Sequence, residues 1–257
     1  MNASSNCIYG ECDGSGLSLV VDEDTGNSFG KYCRCRDTVL QEKRLKFANI
    51  PKEFLGLTIK SFDINLYNSH ISRQKATLAK KAAVNFVNNY EIFEEKGKGL
   101  YFYSNSKGSG KTRLAVSIGN ALITTKGVGV KFIRTLDLLS EIKRTWNKDS
   151  ECTESELINA IIGVQCLILD DIGVEKESLW VNEVFYSILD HRMTKRKITL
   201  FTSNSNIEEL KYDERIKSRI EKMAMPIYLP DESIRSALAK EENEELIGVL
   251  FGENSIR

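Results

Sequence analysis

From about residue 50 onward, short apolar runs alternate with stretches in which apolar residues recur every three or four positions. The short runs predict strands at residues 100–103, 128–133, 164–169, 198–202 and 225–229. The periodic stretches predict helices at residues 76–93, 112–124, 136–146, 153–162 and 179–193, with one or two more across 231–250. Strands separated by helices indicate an α/β fold with a doubly wound, five-stranded parallel sheet.

The first 36 residues differ in composition from the rest of the chain. They are rich in Gly, Asp, Ser and Cys and contain one strand-like run at residues 17–21. A segment this short cannot bury a core and needs a cross-link. A charged stretch follows and ends at Asn49-Ile50-Pro51. We therefore divide the chain into a module at residues 1–36, a connector at 37–50 and a large domain at 51–257.

Composition and charge exclude several classes of protein. Of the 257 residues, 41% are hydrophobic and 28% are charged, which is typical of a globular chain and not of a disordered one. Thirty-six Lys and Arg balance 36 Asp and Glu, so nucleic acid binding would require a local basic patch. Apolar runs are shorter than a membrane helix requires, and the N-terminus lacks the pattern of a secretory signal. We expect a cytoplasmic protein with no membrane partner.

The strongest chemical signal lies between the first strand of the large domain and the helix after it. It reads Asn105-Ser106-Lys107-Gly108-Ser109-Gly110-Lys111-Thr112, in the context that a P-loop requires. The glycines let backbone N–H groups point at phosphate oxygens, while Lys111 supplies charge and Thr112 offers a hydroxyl to Mg²⁺. Asn105 stands where the pattern has its first glycine, and we expect it to adopt a positive φ, which Asn tolerates best.

Two further strand ends bring polar side chains to the same site. The apolar run Cys166-Leu167-Ile168-Leu169 is followed by Asp170 and Asp171, as in a Walker B motif. Because ligands bind at the carboxyl edge of a parallel sheet, Asp170 would hold Mg²⁺ and Asp171 would orient or deprotonate the attacking water. Asn204, after the next strand, would hold that water or sense the γ-phosphate, although Ser203-Asn204 also fits an ordinary polar turn.

Three arginines are candidates for contacts with the phosphates. Arg215 and Arg219 are four residues apart on one helix face, from which one of them could reach a neighbouring subunit's γ-phosphate as an arginine finger. A solvated basic face explains that spacing equally well. Arg235, near the start of the last helical region, could contact the phosphates within its own subunit.

The N-terminal cysteines form two close pairs, Cys7 with Cys12 and Cys33 with Cys35. In a reducing compartment such a cluster favours a metal site over disulfides. Four thiolates complete a tetrahedral Zn²⁺ site, and the chain has no histidine near them. The pairs therefore predict a structural zinc site, and two unrelated pairs of free thiols are the alternative.

A local basic patch surrounds the second strand of the large domain and the helix after it. Its members and neighbouring aromatic residues are Lys131, Arg134, Lys143, Arg144, Phe132 and Trp146. A positive groove with aromatic side chains suits single-stranded DNA. Ordinary surface charge beside core aromatic residues is the alternative, which the residues alone favour slightly.

Together these segments resemble the AAA+ helicase loaders of bacteria and their phages, DnaC and DnaI, and the related transposition ATPase IstB. The resemblance runs over essentially the whole chain. It rests on Asn49-Ile50-Pro51 with Phe54 and on residues 108–115 (which include Arg113), 169–173, 202–204 and 214–219. It implies a P-loop AAA+ ATPase core preceded by a small zinc module, since many members carry the pattern C…C-x-G-x-G…C-x-C at the N-terminus.

The resemblance also implies roles for individual residues. Asn204 corresponds to sensor 1, Arg219 to the arginine finger with Arg215 as its companion, and Arg235 to a sensor 2 residue. Ile50 and Pro51 would border the adenine. Asp171 stands where most AAA+ ATPases carry Glu, and aspartate is usual among the loaders, which suggests slow hydrolysis.

By the same resemblance, the expected function is ATP-dependent loading of a hexameric DnaB-type replicative helicase onto single-stranded DNA. The zinc module would dock the helicase, while the ATPase domains assemble into a ring or open spiral. Two alternatives stay open. One is an IstB-like ATPase that acts with a transposase, and the other is a nucleotide-binding scaffold that has lost hydrolysis.

Overall fold

A computed structural model of the chain describes residues 7, 9–22, 25–147 and 152–250. Residues 1–6 of the predicted N-terminal module and residues 251–257 of the predicted large domain lie outside the described residues. The strands are β1 (Leu17–Val21), β2 (Ser28–Tyr32), β3 (Gly99–Tyr103), β4 (Val130–Arg134), β5 (Cys166–Ile172), β6 (Ile198–Ser203) and β7 (Ala224–Tyr228). The helices are α1 (Arg36–Ala48), α2 (His70–Asn88), α3 (Tyr90–Lys96), α4 (Lys111–Ala121), α5 (Thr135–Arg144), α6 (Glu154–Gly163), α7 (Leu179–Thr194), α8 (Glu214–Met223) and α9 (Arg235–Leu250).

Five parallel strands form the central sheet in the order β4-β5-β6-β3-β7. Alternate strand residues face opposite layers, as the period of two requires. Phe102, Ile168 and Leu200 pack in the cluster that α2 and α4 cover. Tyr101, Leu167 and Phe201 pack in the cluster that α5, α7 and α8 cover. The prediction of a five-stranded parallel sheet with helices on both faces is confirmed.

Two predicted elements differ from the observed ones. In place of the one helix expected at residues 76–93 there are two, because the chain breaks at Asn89. The first, α2, also begins six residues before the predicted start, after its N-cap residue Ser69. The Ser69 hydroxyl accepts the Ser72 N–H at 2.9 Å, which satisfies a free donor at the helix start. The strand expected at residues 164–169 begins at Cys166 and continues to Ile172, with an irregularity between Leu169 and Ile172.

Most of the segment assigned to the connector is helix α1. The helix begins directly after Cys35, packs against β4 and ends at Asn49, which has a left-handed backbone with φ of 53°. Ala48 and Ile50 are buried in the main core. The cysteine module is therefore joined to the sheet domain through a helix that packs on that domain.

Strands β1 and β2 form an antiparallel hairpin within the cysteine module. Residues directly opposite each other share a face, so Leu17, Leu19 and Val21 lie on the same face as Tyr32. All four side chains are exposed. Among the described residues, no helix has the length and apolar character needed to cross a bilayer.

A buried arginine joins the amino ends of the central strands. Arg192, on α7, is fully buried. Its Nη1 donates to Ile161 O at 2.8 Å and to Val164 O at 3.0 Å, and its Nη2 donates to Ile198 O at 2.5 Å. Burial lowers the pKa of Arg192 to about 10. The sequence does not single out this residue, because nothing in the local pattern separates it from an exposed arginine of the last helical turn.

Candidate nucleotide and metal sites

The glycine-rich loop joins β3 to the start of α4, as predicted. Gly110 has φ of 89°, and a Cβ on it would lie 2.9 Å from Phe62 Cε2. Gly108 has φ of 77°, and a Cβ there would lie 2.7 Å from Ser233 Oγ. Side chains rarely adopt such φ values, so both positions require glycine for conformational and steric reasons.

Lys111 is buried at the start of α4, with its ammonium inside the loop. Nζ donates to Ser106 O at 2.9 Å and to Ser109 Oγ at 3.2 Å. Burial lowers the pKa of Lys111, and the nearby carboxylates of Asp171, Asp170 and Asp231 oppose that shift. The loop therefore holds a positive charge next to an acidic strand edge.

Thr112 and Asp170 meet as the Walker B interpretation requires. The Thr112 hydroxyl donates to Asp170 Oδ1 at 2.8 Å, and the Thr202 hydroxyl donates to the same atom at 2.7 Å. Burial raises the pKa of Asp170, although both of these hydrogen bonds lower it. A hydroxyl beside a carboxylate offers the hard oxygen ligands that Mg²⁺ prefers, so Thr112 and Asp170 fit a magnesium ion.

Asp171 lies within β5 with φ of 56°. Its N–H donates to Thr202 Oγ1 at 2.9 Å, and its Oδ1 accepts the Asn204 Nδ2 at 3.3 Å. The left-handed backbone at Asp171 coincides with the irregularity in β5 pairing and lets both acids face the P-loop edge. Asp171 and Asn204 are thus brought together at the carboxyl ends of neighbouring strands.

A cavity of about 580 Å³ opens on the P-loop. The predicted site residues that line it are Lys107, Gly108, Ser109, Gly110, Lys111, Thr112, Arg113, Asp171, Asn204 and Arg235. Phe54, Leu57 and Ile234 form an apolar side of the lining, and its other members are Glu53, Val174, Leu238 and Ala239. Ile50 and Pro51, expected to border the adenine, are not part of this lining; both line one neighbouring cavity, and Ile50 also lines a second. Their place beside the adenine stays a prediction. Asn120 fixes the backbone of Phe54 and Leu57, since its Nδ2 donates to their carbonyl oxygens at 3.1 and 2.9 Å.

Asn105 does not have the backbone conformation expected of it. Among the described residues other than glycine, positive φ occurs at Asn49, Asp171 and Arg196. The expectation for Asn105 is therefore wrong. Its N–H donates to Asp231 Oδ1 at 2.8 Å, and its side-chain Nδ2, which glycine lacks, lies 3.4 Å from Asp231 Oδ2.

Arg235 lies beside the P-loop, as the sensor 2 assignment requires. Its Cβ would be 3.0 Å from a Cβ built on Gly108. The preceding residue, Ile234, donates its N–H to Gly108 O at 3.0 Å. The start of α9 is thus bonded directly to the phosphate loop.

Arg219 and Arg215 lie on α8, outside the described lining of the P-loop cavity. Arg219 is mostly buried and binds Asp190 and Tyr186, whose hydroxyl lies 2.7 Å from Nη2. Arg215 is largely exposed and pairs with Asp213. A contact with a phosphate therefore requires a second subunit, as a finger acting between subunits would.

The aromatic residues of the basic patch differ in exposure. Phe132 is buried in the main core, so the expectation that it supports DNA binding is wrong. Trp146 is exposed and meets the half-buried Trp180 edge to face, with ring centroids 5.4 Å apart. Lys143 Nζ lies 4.9 Å from the Trp180 centroid. Sequence analysis missed Trp180, although a tryptophan in the first turn of an otherwise regular helix is a detectable signal.

The remaining basic side chains of the patch face other partners. Lys131 Nζ lies 5.2 Å from the centroid of the Phe47 ring and donates to Phe47 O at 3.3 Å. Arg134, at the end of β4, is half exposed and lies 3.8 Å from a Glu53 carboxylate oxygen. Arg144 is exposed and lines the same cavity as Arg134. The two tryptophans and Lys143 are thus the compact part of the patch.

The four N-terminal cysteines converge at one buried point. Their Sγ atoms all lie within 4.8 Å of one another. Cys7 Sγ is 3.7 Å from Cys33 Sγ, and Cys12 Sγ is 3.4 Å from Cys35 Sγ. Zinc–sulfur bonds of about 2.3 Å in a tetrahedron place the sulfurs about 3.8 Å apart. The four thiols therefore fit a tetrahedral zinc ion.

Comparison with known proteins agrees with this geometry. The family model that matches, IstB-like ATP binding protein, covers residues 31–217. The replicative helicase loader DnaI of Bacillus subtilis (strain 168) is 30% identical over 210 residues, which make up 76% of this chain and 63% of that protein. The replicative helicase loader DnaC of Buchnera aphidicola subsp. Baizongia pistaciae is 31% identical over 158 residues, or 61% of each chain.

A crystal structure of DnaI is similar at a TM-score of 0.58 and 32% identity, over 71% of this chain and 95% of that one. This similarity confirms the predicted AAA+ core. The chain spans less than two thirds of the length of the two curated relatives. Since the family model covers most of the sequence, the chain belongs to the family of IstB-like ATP binding proteins.

Proposed function

We propose that the protein is an ATPase that binds ATP with Mg²⁺ in the cavity over the P-loop. The observation that carries this proposal is the Thr112–Asp170 contact of 2.8 Å beside the buried Lys111. An ordinary glycine-rich turn would not place a hydroxyl, a carboxylate and an ammonium around one cavity. Phe54, Leu57 and Ile234 would hold the base on the apolar side of that cavity.

The side chains at this site divide the chemistry among them. Lys111 exchanges its loop oxygens for phosphate oxygens, and Arg235 contacts the γ-phosphate from the start of α9. Asp170 and Thr112 would hold Mg²⁺, which would offset the negative charge of the phosphates. Asp171 orients the attacking water and accepts its proton, and Asn204 fixes the Asp171 carboxylate. The short reach of aspartate is consistent with slow turnover.

We propose further that this ATPase is a loader of a DnaB-type replicative helicase. The relatives named as replicative helicase loaders support this role. The cysteine module offers a contact surface, since Leu17, Leu19 and Val21 lie exposed on one face of the hairpin. Exposed apolar residues grouped in this way are typical of protein interfaces. With zinc bound to its four cysteines, the module would present this face to the helicase.

Single-stranded DNA is the proposed nucleic acid ligand. Trp146 and Trp180 offer aromatic surface for base stacking, and Lys143 supplies a positive charge beside them. Assembly into a ring or open spiral would align these pairs along one strand. It would also bring Arg219 or Arg215 of one subunit to the γ-phosphate of the next.

The family description favours one rival function, that of an IstB-like ATPase acting with a transposase. Co-purification separates the two. The tagged full chain is incubated with a DnaB-type helicase or with a transposase, with ATP, with ADP or without nucleotide. Retention of the helicase that depends on ATP supports the loader. Retention of the transposase alone contradicts it.

Replacing Lys111 by Ala tests the nucleotide site itself. We expect K111A to lose measurable ATP binding, because the buried ammonium is the nearest positive charge to the phosphates. Lys81→Ala, which removes an exposed positive charge from α2 outside the cavity lining, is the matched control. Unchanged ATP affinity in K111A would contradict the proposal.

A further inference from the structure

Asn105 replaces the first glycine of the P-loop pattern and binds an acid that follows the neighbouring strand, β7. Its N–H donates to Asp231 Oδ1 at 2.8 Å, and its Nδ2 lies 3.4 Å from Oδ2. A glycine at this position would keep the first contact and lose the second. The departure from the motif therefore adds a bond between the phosphate loop and the segment after β7.

Both oxygens of Asp231 have further partners. The Ser104 hydroxyl lies 3.1 Å from Oδ1, and the Tyr228 hydroxyl donates to Oδ2. Burial raises the pKa of Asp231, but the hydrogen bonds from Tyr228, Asn105 and Ser104 outweigh it and hold the pKa below its usual value. Asp231 thus joins the ends of β3 and β7 as a carboxylate.

The segment that begins at Asp231 touches the P-loop again at Gly108. The Ile234 N–H donates to Gly108 O at 3.0 Å. A Cβ on Gly108 would lie 2.7 Å from Ser233 Oγ and 3.0 Å from Arg235 Cβ. Residues 231–235 therefore lie along the loop with one contact at each end, and the backbone of Arg235 is fixed relative to the loop.

We propose that Asp231 is a positioning residue that fixes Arg235 and the P-loop relative to each other, so that the site favours ATP over ADP. This inference rests on the proposed function, in which Arg235 contacts the γ-phosphate. ADP lacks that phosphate and gains less from a correctly placed Arg235. A carboxylate that only stabilised the fold would affect both nucleotides alike.

The test uses the full chain and measures dissociation constants for ADP and for a non-hydrolysable ATP analogue. In Asp231→Asn, an NH₂ group replaces an acceptor that faces Tyr228 and Asn105. We expect the ATP analogue to bind about tenfold more weakly and ADP to change less than about twofold. Glu232→Gln is the matched control, because Glu232 is the next carboxylate and accepts the Asn68 N–H at 2.6 Å. It should bind both nucleotides as the wild type does.

A double variant tests the route of the effect. If Asp231 acts through Arg235, D231N should weaken the ATP analogue no further in the R235A background. Equal weakening of both nucleotides by D231N, or effects of D231N and R235A that add in full, would overturn the inference.

Two more variants keep the result interpretable. If D231N does not fold, Tyr228→Phe serves as the second variant. It removes one hydrogen-bond donor to Asp231 and retains the aromatic ring, whose centroid lies 5.1 Å from that of the Tyr103 ring. Y228F should lower the preference for ATP over ADP by a smaller factor than D231N does. A preference equal to that of the wild type would overturn the inference. K111A distinguishes failure of the proposed nucleotide site from failure of the proposed role of Asp231. Unchanged ATP binding in K111A contradicts the nucleotide site, whereas loss in K111A with a normal ATP preference in D231N contradicts only the role of Asp231.

Discussion

Arg219 is held by Asp190 across the contact between α8 and α7. Its Nε and Nη2 lie 2.9 and 2.7 Å from the same oxygen, Asp190 Oδ1. Its Nη1 donates to Arg215 O at 2.9 Å, and its guanidinium lies 4.0 Å from the Tyr186 centroid. An arginine with this many partners within its own subunit must exchange some of them to reach a neighbour's phosphate.

The first prediction separates the two candidate fingers. We expect Arg219→Ala to lower ATP hydrolysis by the assembled protein about 10³-fold, the size of effect that arginine fingers have elsewhere. Asp190→Asn should keep hydrolysis, since it weakens the hold on Arg219 without removing the guanidinium. The ion pair is partly exposed, so D190N should lower the free energy of unfolding by less than about 1 kcal/mol. ATPase rates and chemical denaturation check both effects.

Arg215→Ala is the matched comparison, because it removes an exposed guanidinium from the same helix. A large loss of hydrolysis in R215A with normal hydrolysis in R219A would assign the finger to Arg215. The Arg219–Asp190 pair would then be a structural contact between α8 and α7.

The second prediction concerns the buried Arg192. Its replacement by Leu removes the guanidinium donor from the buried Ile161, Val164 and Ile198 carbonyl oxygens. Each unsatisfied buried group costs about 1–3 kcal/mol, so we expect R192L to lose at least about 3 kcal/mol of stability. Urea denaturation checks this. Lys195→Ala, on an exposed residue one turn away, is the control and should change stability by less than about 0.5 kcal/mol. Stability of R192L equal to that of the wild type would contradict the proposed role.

The sheet was predictable because its five strands are short apolar runs between helical segments. The site was predictable because its residues sit where those strands end. The error at β5 has a physical cause, since acids after an apolar run suggest a turn while Asp170 and Asp171 here continue the strand. The left-handed φ of Asp171 falls where the β5–β6 register skips from Leu169 to Ile172 and where its N–H donates to the Thr202 hydroxyl, and it has no signal in the local sequence.

Contacts between distant segments could not be predicted from local patterns. Asp231 binds Asn105 across 126 positions of sequence, and Trp180, on α7, meets Trp146, which follows α5, only in the folded domain. Phe132 shows the converse, because it lies between basic residues in sequence but faces the core in the sheet. Periodicity assigns a residue to a face, whereas its partner on that face comes from the tertiary structure.

The third prediction concerns zinc. We expect the purified protein to contain one zinc ion per chain, and Cys33→Ser to lose it, because three thiolates bind Zn²⁺ more weakly than four. ATP affinity should change little, since the P-loop belongs to the sheet domain. Elemental analysis and nucleotide titration check the two statements. Cys152→Ser, on an exposed cysteine, should keep its zinc. Full zinc content in C33S would contradict the assignment.

The fourth prediction concerns pH. Hydrogen bonds from Tyr228, Asn105 and Ser104, acting against burial, hold the pKa of Asp231 below its unfolded value. The folded state therefore binds this proton less readily than the unfolded state. The stabilisation is present at neutral pH and is lost as the pH falls through the lowered pKa. The difference in free energy of unfolding between wild type and D231N should shrink on acidification. A difference that grows in acid would contradict this sign.

The fifth prediction concerns DNA. Trp180→Ala should weaken binding of single-stranded DNA by about 5- to 150-fold, since stacking of one base contributes about 1–3 kcal/mol. Trp146→Ala should act in the same direction and abolish part of the fluorescence change on binding. Leu179→Ala is the matched control, because Leu179 is the adjacent and more exposed apolar residue. If all three variants weaken binding alike, the surface is a general apolar patch, and if none does, the DNA lies elsewhere. If DNA binding is weakened in the two tryptophan variants but not in Leu179→Ala, and is also weakened in Lys143→Glu, the DNA strand lies over the Trp146–Trp180 pair.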